Sequence, residues 1–165
     1  MLSAPGLSNC ALQLAGLLAE KKLLLAVAES CTGGMIGATI TSLPGSSSYF
    51  CGGVISYSNK LKENLLNVPR NLLESCGAVS REVVAAMALG AQKLCNADCA
   101  IAVSGIAGPD GGTGQKPVGL VCIGIAVKEN VTAYEKRFSG DRQSIREQTV
   151  TKSLQLLSDA LLALK

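Results

Sequence analysis

The chain alternates between short apolar runs and longer stretches in which apolar residues recur at helical spacing. The run at residues 23–30 is typical of a strand buried on both faces, and residues 52–58 and 99–105 are predicted to form further strands. Helical segments lie between them, and the clearest amphipathic one follows Ser80, a residue type that caps helix N-termini. The first two thirds of the chain are therefore predicted to alternate helices and strands.

The remainder departs from this alternation. Residues 118–127 and 131–138 are strand-like and flank a short polar link, which predicts a β-hairpin, and residues 139–165 predict a long closing helix. This order predicts an α/β fold, a three-layer α/β/α arrangement around a mixed, mostly parallel sheet. With 165 residues and neither an internal repeat nor a linker, residues 1–165 are predicted to be a single domain.

The amino-acid composition indicates which class of protein this chain belongs to. Hydrophobic residues make up 48% of the chain and charged residues 16%, which is typical of a globular domain. The net charge of +3 is small and Lys and Arg form no cluster, so nucleic acid is not an expected partner. No apolar run reaches the about 18–20 residues that a transmembrane helix needs, so no membrane association is expected.

Seven cysteines and the lack of histidine limit the chemistry further. The cysteines are odd in number and irregularly spaced, and the N-terminal segment lacks the pattern of a secretory signal. We therefore expect reduced, structural thiols in a cytoplasmic protein. Cys95 and Cys99 form the one close pair, and without histidine no metal site is predicted. No other cofactor is predicted either.

Candidate chemistry lies in four polar segments that follow predicted strands or begin helices. They are ESCTGG (29–34), SYSNKLK (56–62), SGIAGPDGGTG (104–114) and SGDRQSIR (139–146). Ligands of open α/β sheets bind at the carboxyl ends of the strands, so these segments are expected to converge. The glycine-rich segment matches neither common phosphate-binding fingerprint. It fits a mobile surface loop or a loop whose backbone amides approach a ligand.

Two adjacent nucleophiles, Ser30 and Cys31, lie at the end of the first predicted strand. Without histidine, a serine can lose its proton to a lysine, or to a tyrosine whose pKa a nearby lysine lowers. Tyr57, followed by Lys60 and Lys62, offers such groups at the end of a predicted strand. The same residues also fit an ordinary half-buried tyrosine with solvated lysines, and spacing alone leaves both interpretations open.

Five segments in this order resemble the CinA C-terminal domain family of nicotinamide-nucleotide amidases, also called NMN deamidases. They are AESCTGG, PGSSSYFCGGVISYSNKLK, GAVSREVVAAMA, VSGIAGPDGGTGQKPVG and FSGDRQSIREQ, and the resemblance covers residues 25–151. It implies hydrolysis of the carboxamide of nicotinamide mononucleotide to nicotinate mononucleotide and ammonia, in pyridine nucleotide salvage. Family members often carry an additional N-terminal pyrophosphatase domain, an activity not expected of this chain.

The resemblance also implies roles for individual residues. The catalytic residues carry over onto Ser30, Tyr57 and Lys62. In this mechanism Tyr57, with its phenolate form favoured by Lys62, takes the proton of Ser30, which attacks the amide. Predicted substrate-binding residues are Thr32, Gly33, Gly34, Gly45, Ser46, Ser47, Ser104, Gly105 and Arg142. Backbone amides of residues 32–34 or near Gly105 are expected to form the oxyanion hole, and Arg142 to bind the substrate phosphate.

The sequence also allows other roles for several of these residues and another class of function. Cys31 is a rival nucleophile, because a thiolate at a helix N-terminus is intrinsically reactive. Glu29 is either an accessory hydrogen-bonding group or a structural anchor. A non-catalytic nucleotide-binding or competence-related interaction protein is the alternative from another class. The apolar closing helix is compatible with a homo-oligomer and equally with a helix buried in the monomer.

Overall fold

The computed structural model describes the backbone of residues 5–164 and the side chains of residues 9–164. The helices are α1 (Pro5–Lys21), α2 (Met35–Thr41), α3 (Asn59–Leu66), α4 (Arg70–Cys76), α5 (Arg81–Leu94) and α6 (Arg142–Leu162). The strands are β1 (Leu25–Glu29), β2 (Phe50–Ile55), β3 (Cys99–Gly105), β4 (Leu120–Val127) and β5 (Asn130–Arg137). A short 3-10 helix, Ser46–Ser48, precedes β2.

The five strands form one mixed sheet in the order β2-β1-β3-β4-β5. β1 pairs in parallel with both β2 and β3, while β4 is antiparallel to β3 and to β5. β5 therefore runs in the same direction as β1, β2 and β3, and β4 is the one reversed strand of this sheet. The predicted mixed, mostly parallel sheet is confirmed.

Alternate side chains of the central strands feed two separate cores. Leu25, Val27 and Ile101 belong to the core that also contains buried residues of α1, α2 and α6. Ala26 and Ala100 belong to the other core, which includes buried residues of α3, α4 and α5. Because strand residues alternate between faces, each strand supplies both cores. The result is the predicted α/β/α arrangement with three helices on each face of the sheet.

Local signals fix where the helices begin. Ser58 accepts a hydrogen bond from the Leu61 amide at the start of α3, and Ser80 accepts one from Val83 at the start of α5. Asp141 caps α6 in the same way. Each cap satisfies a backbone N–H that has no partner within the helix. These caps position the starts of α3 and α6 next to the loops that carry the predicted chemistry.

The structure corrects the predicted bounds of β2 and of the hairpin turn. β2 spans Phe50–Ile55 and not residues 52–58, so Tyr57 lies beyond the strand. The link of the hairpin is shorter than predicted, because Asn130 is already paired with Val127 in the sheet. Lys128 takes a left-handed conformation (φ 54°) that permits this tight connection. In the part of the chain that the structure describes, no helix is long and apolar enough to cross a membrane.

Candidate active site

The first polar segment begins where β1 ends. The Ser30 amide donates to the carbonyl of Val103 on β3 at 3.1 Å, and the Ser56 amide donates to the carbonyl of Glu29 at 2.8 Å. Ser30 therefore lies between the C-terminal ends of β3 and β2. This is the edge of a parallel arrangement at which ligands are expected.

Ser30 and Lys62 are brought into direct contact. Lys62 lies in α3, and its Nζ donates to Ser30 Oγ at 3.2 Å. The same Nζ donates to the backbone carbonyls of Ser56 at 2.7 Å and Tyr57 at 3.4 Å. Both side chains are buried, with 8% of Ser30 and 1% of Lys62 exposed. The arrangement is a serine hydroxyl and a lysine amine enclosed together.

Burial changes the protonation of this amine. Removing Lys62 from water lowers its pKa from the ordinary lysine value of 10.5, because the charged form loses hydration. No carboxylate forms an ion pair with Lys62 within the described residues, where one salt bridge, Arg70–Glu74, is found on the surface. A larger fraction of Lys62 is therefore neutral near physiological pH than of a solvated lysine. A neutral amine can accept a proton.

Cys31 is buried next to Ser30 and points into the core on the α1, α2 and α6 face of the sheet. Desolvation, helped by the negative charge of Glu29, raises the pKa of the Cys31 thiol to about 11. Almost no thiolate is present at neutral pH at such a pKa, and the thiolate is the reactive form. The geometry therefore favours Ser30 over Cys31 as the nucleophile.

Glu29 organises the turn that follows Ser30. Its carboxylate, 1% exposed, accepts four hydrogen bonds: one from the Thr32 hydroxyl and three from backbone amides at the start of α2, those of Gly34, Ile36 and Gly37. A carboxylate at this position also complements the positive end of the helix. Of the two roles left open for Glu29, the structural anchor is the one that these contacts support.

The two glycines allow the chain to make this turn. Gly33 and Gly34 have φ values of 60° and 97°, in the left-handed region that favours glycine. Their amides are already engaged, since Gly33 donates to the Ser30 carbonyl at 3.1 Å and Gly34 to Glu29 at 2.9 Å. The predicted oxyanion donors at these two positions are therefore partnered within the turn itself.

Tyr57 lies at the surface next to Arg142. Its side chain is 61% exposed, and the Arg142 Nη2 donates to its hydroxyl at 3.4 Å. Arg142 also donates from Nη1 to the carbonyl of Gly108 in the glycine-rich loop, at 2.7 Å. Within the described residues the Tyr57 hydroxyl has no hydrogen bond to Ser30 or Lys62. Of the three predicted catalytic residues, Ser30 and Lys62 are therefore in direct contact, whereas the hydroxyl of Tyr57 contacts Arg142.

The remaining predicted residues fall into two groups. Ser104 and Gly105 are the last residues of β3, at the same end of the sheet as Ser30. The segment with Gly45, Ser46 and Ser47 precedes β2, next to Tyr49, whose carbonyl accepts from the amide of Leu25 at the start of β1. The latter segment therefore lies at the opposite end of the sheet from Ser30. Its role in substrate binding remains a prediction.

One residue of the site was not predicted. Arg146 lies one helical turn after Arg142, and its Nη2 donates to the carbonyl of Thr32 at 2.7 Å. The only signal available in the sequence was the spacing of the two arginines, which places them on one face of α6. In the described part of the chain, no group of three or more Cys, Asp or Glu side chains is arranged to hold a metal ion.

This fold and site define a class of three-layer α/β domain in which a buried lysine contacts a serine at the end of the first strand. The sequence profile of the CinA C-terminal domain matches residues 7–161. The chain therefore belongs to the CinA C-terminal domain family, as the resemblance indicated.

Relatives and solved structures agree with this assignment. The chain is 50% identical over 151 residues to a CinA-like protein of Geotalea uraniireducens, covering 92% of this chain and 36% of that protein. It is 53% identical over 142 residues to a competence-damage inducible protein of Caldicellulosiruptor bescii, covering 86% and 34% respectively. The chain thus spans about a third of the length of these relatives.

The fold is similar to that of the crystal structure of the competence/damage inducible protein CihA from Agrobacterium tumefaciens. The TM-score is 0.93 with 37% identity, covering 96% of this chain and 97% of that one. A CinA superfamily protein from Klebsiella pneumoniae gives the same TM-score with 31% identity, covering 96% and 99%. The similarity therefore extends over nearly the whole of each chain.

Proposed function

We propose that this chain is a serine amidase that hydrolyses the carboxamide of nicotinamide mononucleotide to nicotinate mononucleotide and ammonia. The observation that carries the proposal is the 3.2 Å contact between Lys62 Nζ and Ser30 Oγ in a buried position. Family membership supports the substrate, because the sequence segments that resemble nicotinamide-nucleotide amidases include both residues. Burial of a lysine next to a serine does not stabilise a core, and titratable groups with shifted pKa values are typical of active sites.

Lys62 is proposed to accept the Ser30 proton directly. A neutral lysine amine has two N–H groups and one lone pair. The carbonyls of Ser56 and Tyr57 accept hydrogen bonds from Nζ and can engage both N–H groups, which leaves the lone pair for the serine hydroxyl. This assignment differs from the predicted proton transfer to Tyr57, and it follows from the closer partner.

The reaction then proceeds by nucleophilic catalysis. Lys62 takes the proton, Ser30 Oγ bonds to the amide carbon, and the C–N bond breaks as Lys62 returns the proton to the leaving ammonia. The product remains as an ester on Ser30. Water attacks this ester with Lys62 again as the base, and nicotinate mononucleotide leaves as Ser30 regains its proton.

The negative oxygen of the tetrahedral intermediate needs hydrogen-bond donors. In the described part of the chain, the amides of Cys31 and Thr32 donate to no other backbone group, whereas those of Gly33 and Gly34 are engaged. We assign the Cys31 amide to the oxyanion hole, because Thr32 is 0% exposed and its amide is enclosed with the rest of the residue. The amide that follows the nucleophile often has this role, and loss of such a donor costs about 10²–10³ in turnover.

Tyr57 and Arg142 are proposed to contact the substrate at the surface, outside the buried pair of Ser30 and Lys62. The Arg142 guanidinium remains a candidate for the substrate phosphate, which it can pair with bidentately. The phenol beside it would then lie against the nucleotide, in place of the predicted role as proton acceptor. Ser104 and Gly105, at the end of β3, complete the substrate-facing set in this proposal.

Ammonia release tests the proposed substrate. We expect the purified protein to release ammonia from nicotinamide mononucleotide, with much slower release from free nicotinamide, because Arg142 has no phosphate to bind in the latter. A chelator should leave the rate unchanged, since no step uses a metal. Binding of the mononucleotide without ammonia release above background would instead support the non-catalytic, nucleotide-binding alternative.

A further inference from the structure

We infer that Glu29, Thr32 and Arg146 form a clamp that holds the Ser30 hydroxyl against Lys62, and that Thr32 is a positioning residue. This inference rests on the proposed function, in which Ser30 is the nucleophile. The three residues are called the Thr32 clamp below. It assigns to Thr32 a role other than the predicted contact with substrate.

The inner half of the clamp is the bond between Thr32 and Glu29. Thr32 Oγ1 donates to Glu29 Oε2 at 2.6 Å, a short bond of the kind that ionised acceptors make. The same oxygen accepts the Gly34 amide at 2.9 Å. Glu29 immediately precedes Ser30, and its other contacts fix it to α2. The hydroxyl of Thr32 therefore closes the turn around the nucleophile.

The outer half of the clamp reaches Thr32 from the other end of the chain. Arg146 Nη2 donates to the Thr32 carbonyl at 2.7 Å, across 114 residues of sequence. The Nε of Arg146 is buried and has no partner among the described residues. The Nη1 of Arg146 donates to the Gln143 side chain, one turn earlier in α6, at 3.3 Å. The guanidinium therefore joins α6 to the nucleophile turn.

Thr32 itself has no surface to offer a substrate. Its exposed fraction is 0%. Its hydroxyl is bonded to Glu29 and its carbonyl to Arg146, so both of these polar groups are already used. A residue that is fully enclosed and held at two points acts on the reaction through the backbone of the turn. Its effect is on where Ser30 Oγ lies relative to Lys62 Nζ.

The consequence for catalysis is geometric. Ser30 and Thr32 belong to one turn, so release of the Thr32 side chain lets the turn relax and lengthens the 3.2 Å contact between Ser30 and Lys62. A displacement of about 1 Å at reacting groups can cost about 100-fold in rate. The clamp therefore controls the reactivity of Ser30 without touching the substrate.

The test measures the reactivity of Ser30 with a small fluorophosphonate, which needs no substrate-binding contacts. The rate of covalent labelling is followed by intact mass and assigned to Ser30 by peptide mapping. For Thr32→Val, which removes the hydroxyl and keeps the shape, we expect labelling to slow by about 10- to 100-fold. Thr32→Ser, which restores the hydroxyl, should recover most of the rate. Arg146→Met should also slow labelling.

Thr149→Val is the matched control. Thr149 is also 0% exposed, and its hydroxyl donates at 2.7 Å to the carbonyl of Ile145 within its own helix, not to a group of the clamp. We expect this variant to label at the wild-type rate, with thermal unfolding used to show that it and Thr32→Val are both folded under the labelling conditions. Equal labelling rates for folded Thr32→Val and wild-type protein, or equal slowing by Thr149→Val, would overturn the inference.

Outcomes for the clamp and for the proposed function are distinguishable. If wild-type protein is labelled at Ser30 but releases no ammonia from nicotinamide mononucleotide, the proposed substrate is wrong. Slow labelling of Thr32→Val would in that case still support the clamp. Wild-type protein that is not labelled at Ser30 overturns both, because the clamp has then no reactive hydroxyl to position. If the wild-type protein hydrolyses nicotinamide mononucleotide, Thr32→Val should lower kcat for this substrate and leave KM nearly unchanged.

Discussion

Lys62 is a lysine enclosed almost completely by protein, with 1% of its surface exposed. Burial of an ammonium group costs free energy unless hydrogen bonds and opposite charges compensate. Its partners are two carbonyls and one hydroxyl, all of them neutral. Burial of Lys62 therefore destabilises the folded chain and at the same time lowers the pKa of the amine that acts as the base.

The pH dependence of the reaction follows from this lowered pKa. The neutral amine is the active form, so kcat/KM should rise with pH through a midpoint below 10.5, the ordinary lysine value. Lys62→Met should lower kcat by about 10²–10⁴, the usual contribution of a general base. Ammonia release measured across the pH range checks both. A rising limb that survives in Lys62→Met but is lost in Tyr57→Phe would show that the phenol is the base, as predicted from the sequence.

The same shift has a consequence for stability. Because the folded pKa of Lys62 is below that of the unfolded chain, the unfolded state binds more protons between the two values. Wild-type stability should therefore increase with pH in this interval relative to Lys62→Met. Urea unfolding of both proteins, at neutral pH and near pH 10, gives the difference. A constant difference between the two proteins would mean that the pKa of Lys62 is unshifted.

At the residue level, the sequence could predict which residue types carry the chemistry but not all of their contacts. The lack of histidine and the position of Ser30 at the end of a predicted strand pointed to a serine activated by a lysine, or by a tyrosine with a lysine nearby. Spacing could not choose between Lys60 and Lys62, and the resemblance to the family did. The contact between Arg146 and Thr32 was unpredictable, because it joins residues far apart in sequence through the packing of α6 against the sheet.

At the level of elements, the glycine-rich loop between β3 and β4 is held at two points. Lys116 Nζ donates to the carbonyls of Cys76 and Val79 at 2.6 and 2.7 Å, next to the end of α4. Arg142 holds the carbonyl of Gly108 from α6. These contacts favour a loop with a defined path over a mobile surface segment, and the approach of its backbone amides to a ligand stays a prediction.

Two helical glycines should respond oppositely to the same substitution. Gly16 lies in α1, where an added Cβ would meet nothing within 4 Å, so Gly16→Ala should stabilise the chain by about 1 kcal/mol. Gly90 lies in α5, where an added Cβ would overlap the Leu66 carbonyl oxygen at the end of α3. Gly90→Ala should therefore destabilise by about 1–3 kcal/mol, despite its better helix propensity.

The measurement is the free energy of unfolding in urea for each variant and the wild type. Gly16→Ala serves as the control for propensity alone, since both glycines are inside helices. If Gly90→Ala proved as stabilising as Gly16→Ala, the close packing of α5 against α3 would be wrong. That packing bears on the site, because α3 carries Lys62.

Element boundaries were predicted well where one signal dominated. β3 was predicted at its observed bounds, because the apolar run ends at Gly105 and a glycine-rich loop follows. β2 ended earlier than predicted, because Ser56 turns away after a single hydrogen bond to Glu29. Helix α5 followed its serine cap and apolar spacing closely. The capping and periodicity signals are local, whereas the end of β2 depends on its neighbour in the sheet.

At the level of the whole molecule, the topology explains why four distant segments meet. β1 and β3 are adjacent parallel strands, so their C-terminal ends place Ser30 and Gly105 at one edge. α3 leaves β2 at the same edge, and α6 returns to it after the hairpin. The alternation of strands and helices predicted this convergence. It could not predict that the segment around Ser46 lies at the opposite end, because that depends on the direction of β2.

In the proposed mechanism the hydroxyl of Ser30, and not the neighbouring thiol, is the nucleophile. The most direct test compares ammonia release from nicotinamide mononucleotide by Ser30→Ala and Cys31→Ala, with folding of each variant checked by thermal unfolding. We expect Ser30→Ala to be inactive and Cys31→Ala to keep most of the wild-type rate, since the buried thiol has a pKa of about 11. An active Ser30→Ala beside an inactive, folded Cys31→Ala would contradict the account.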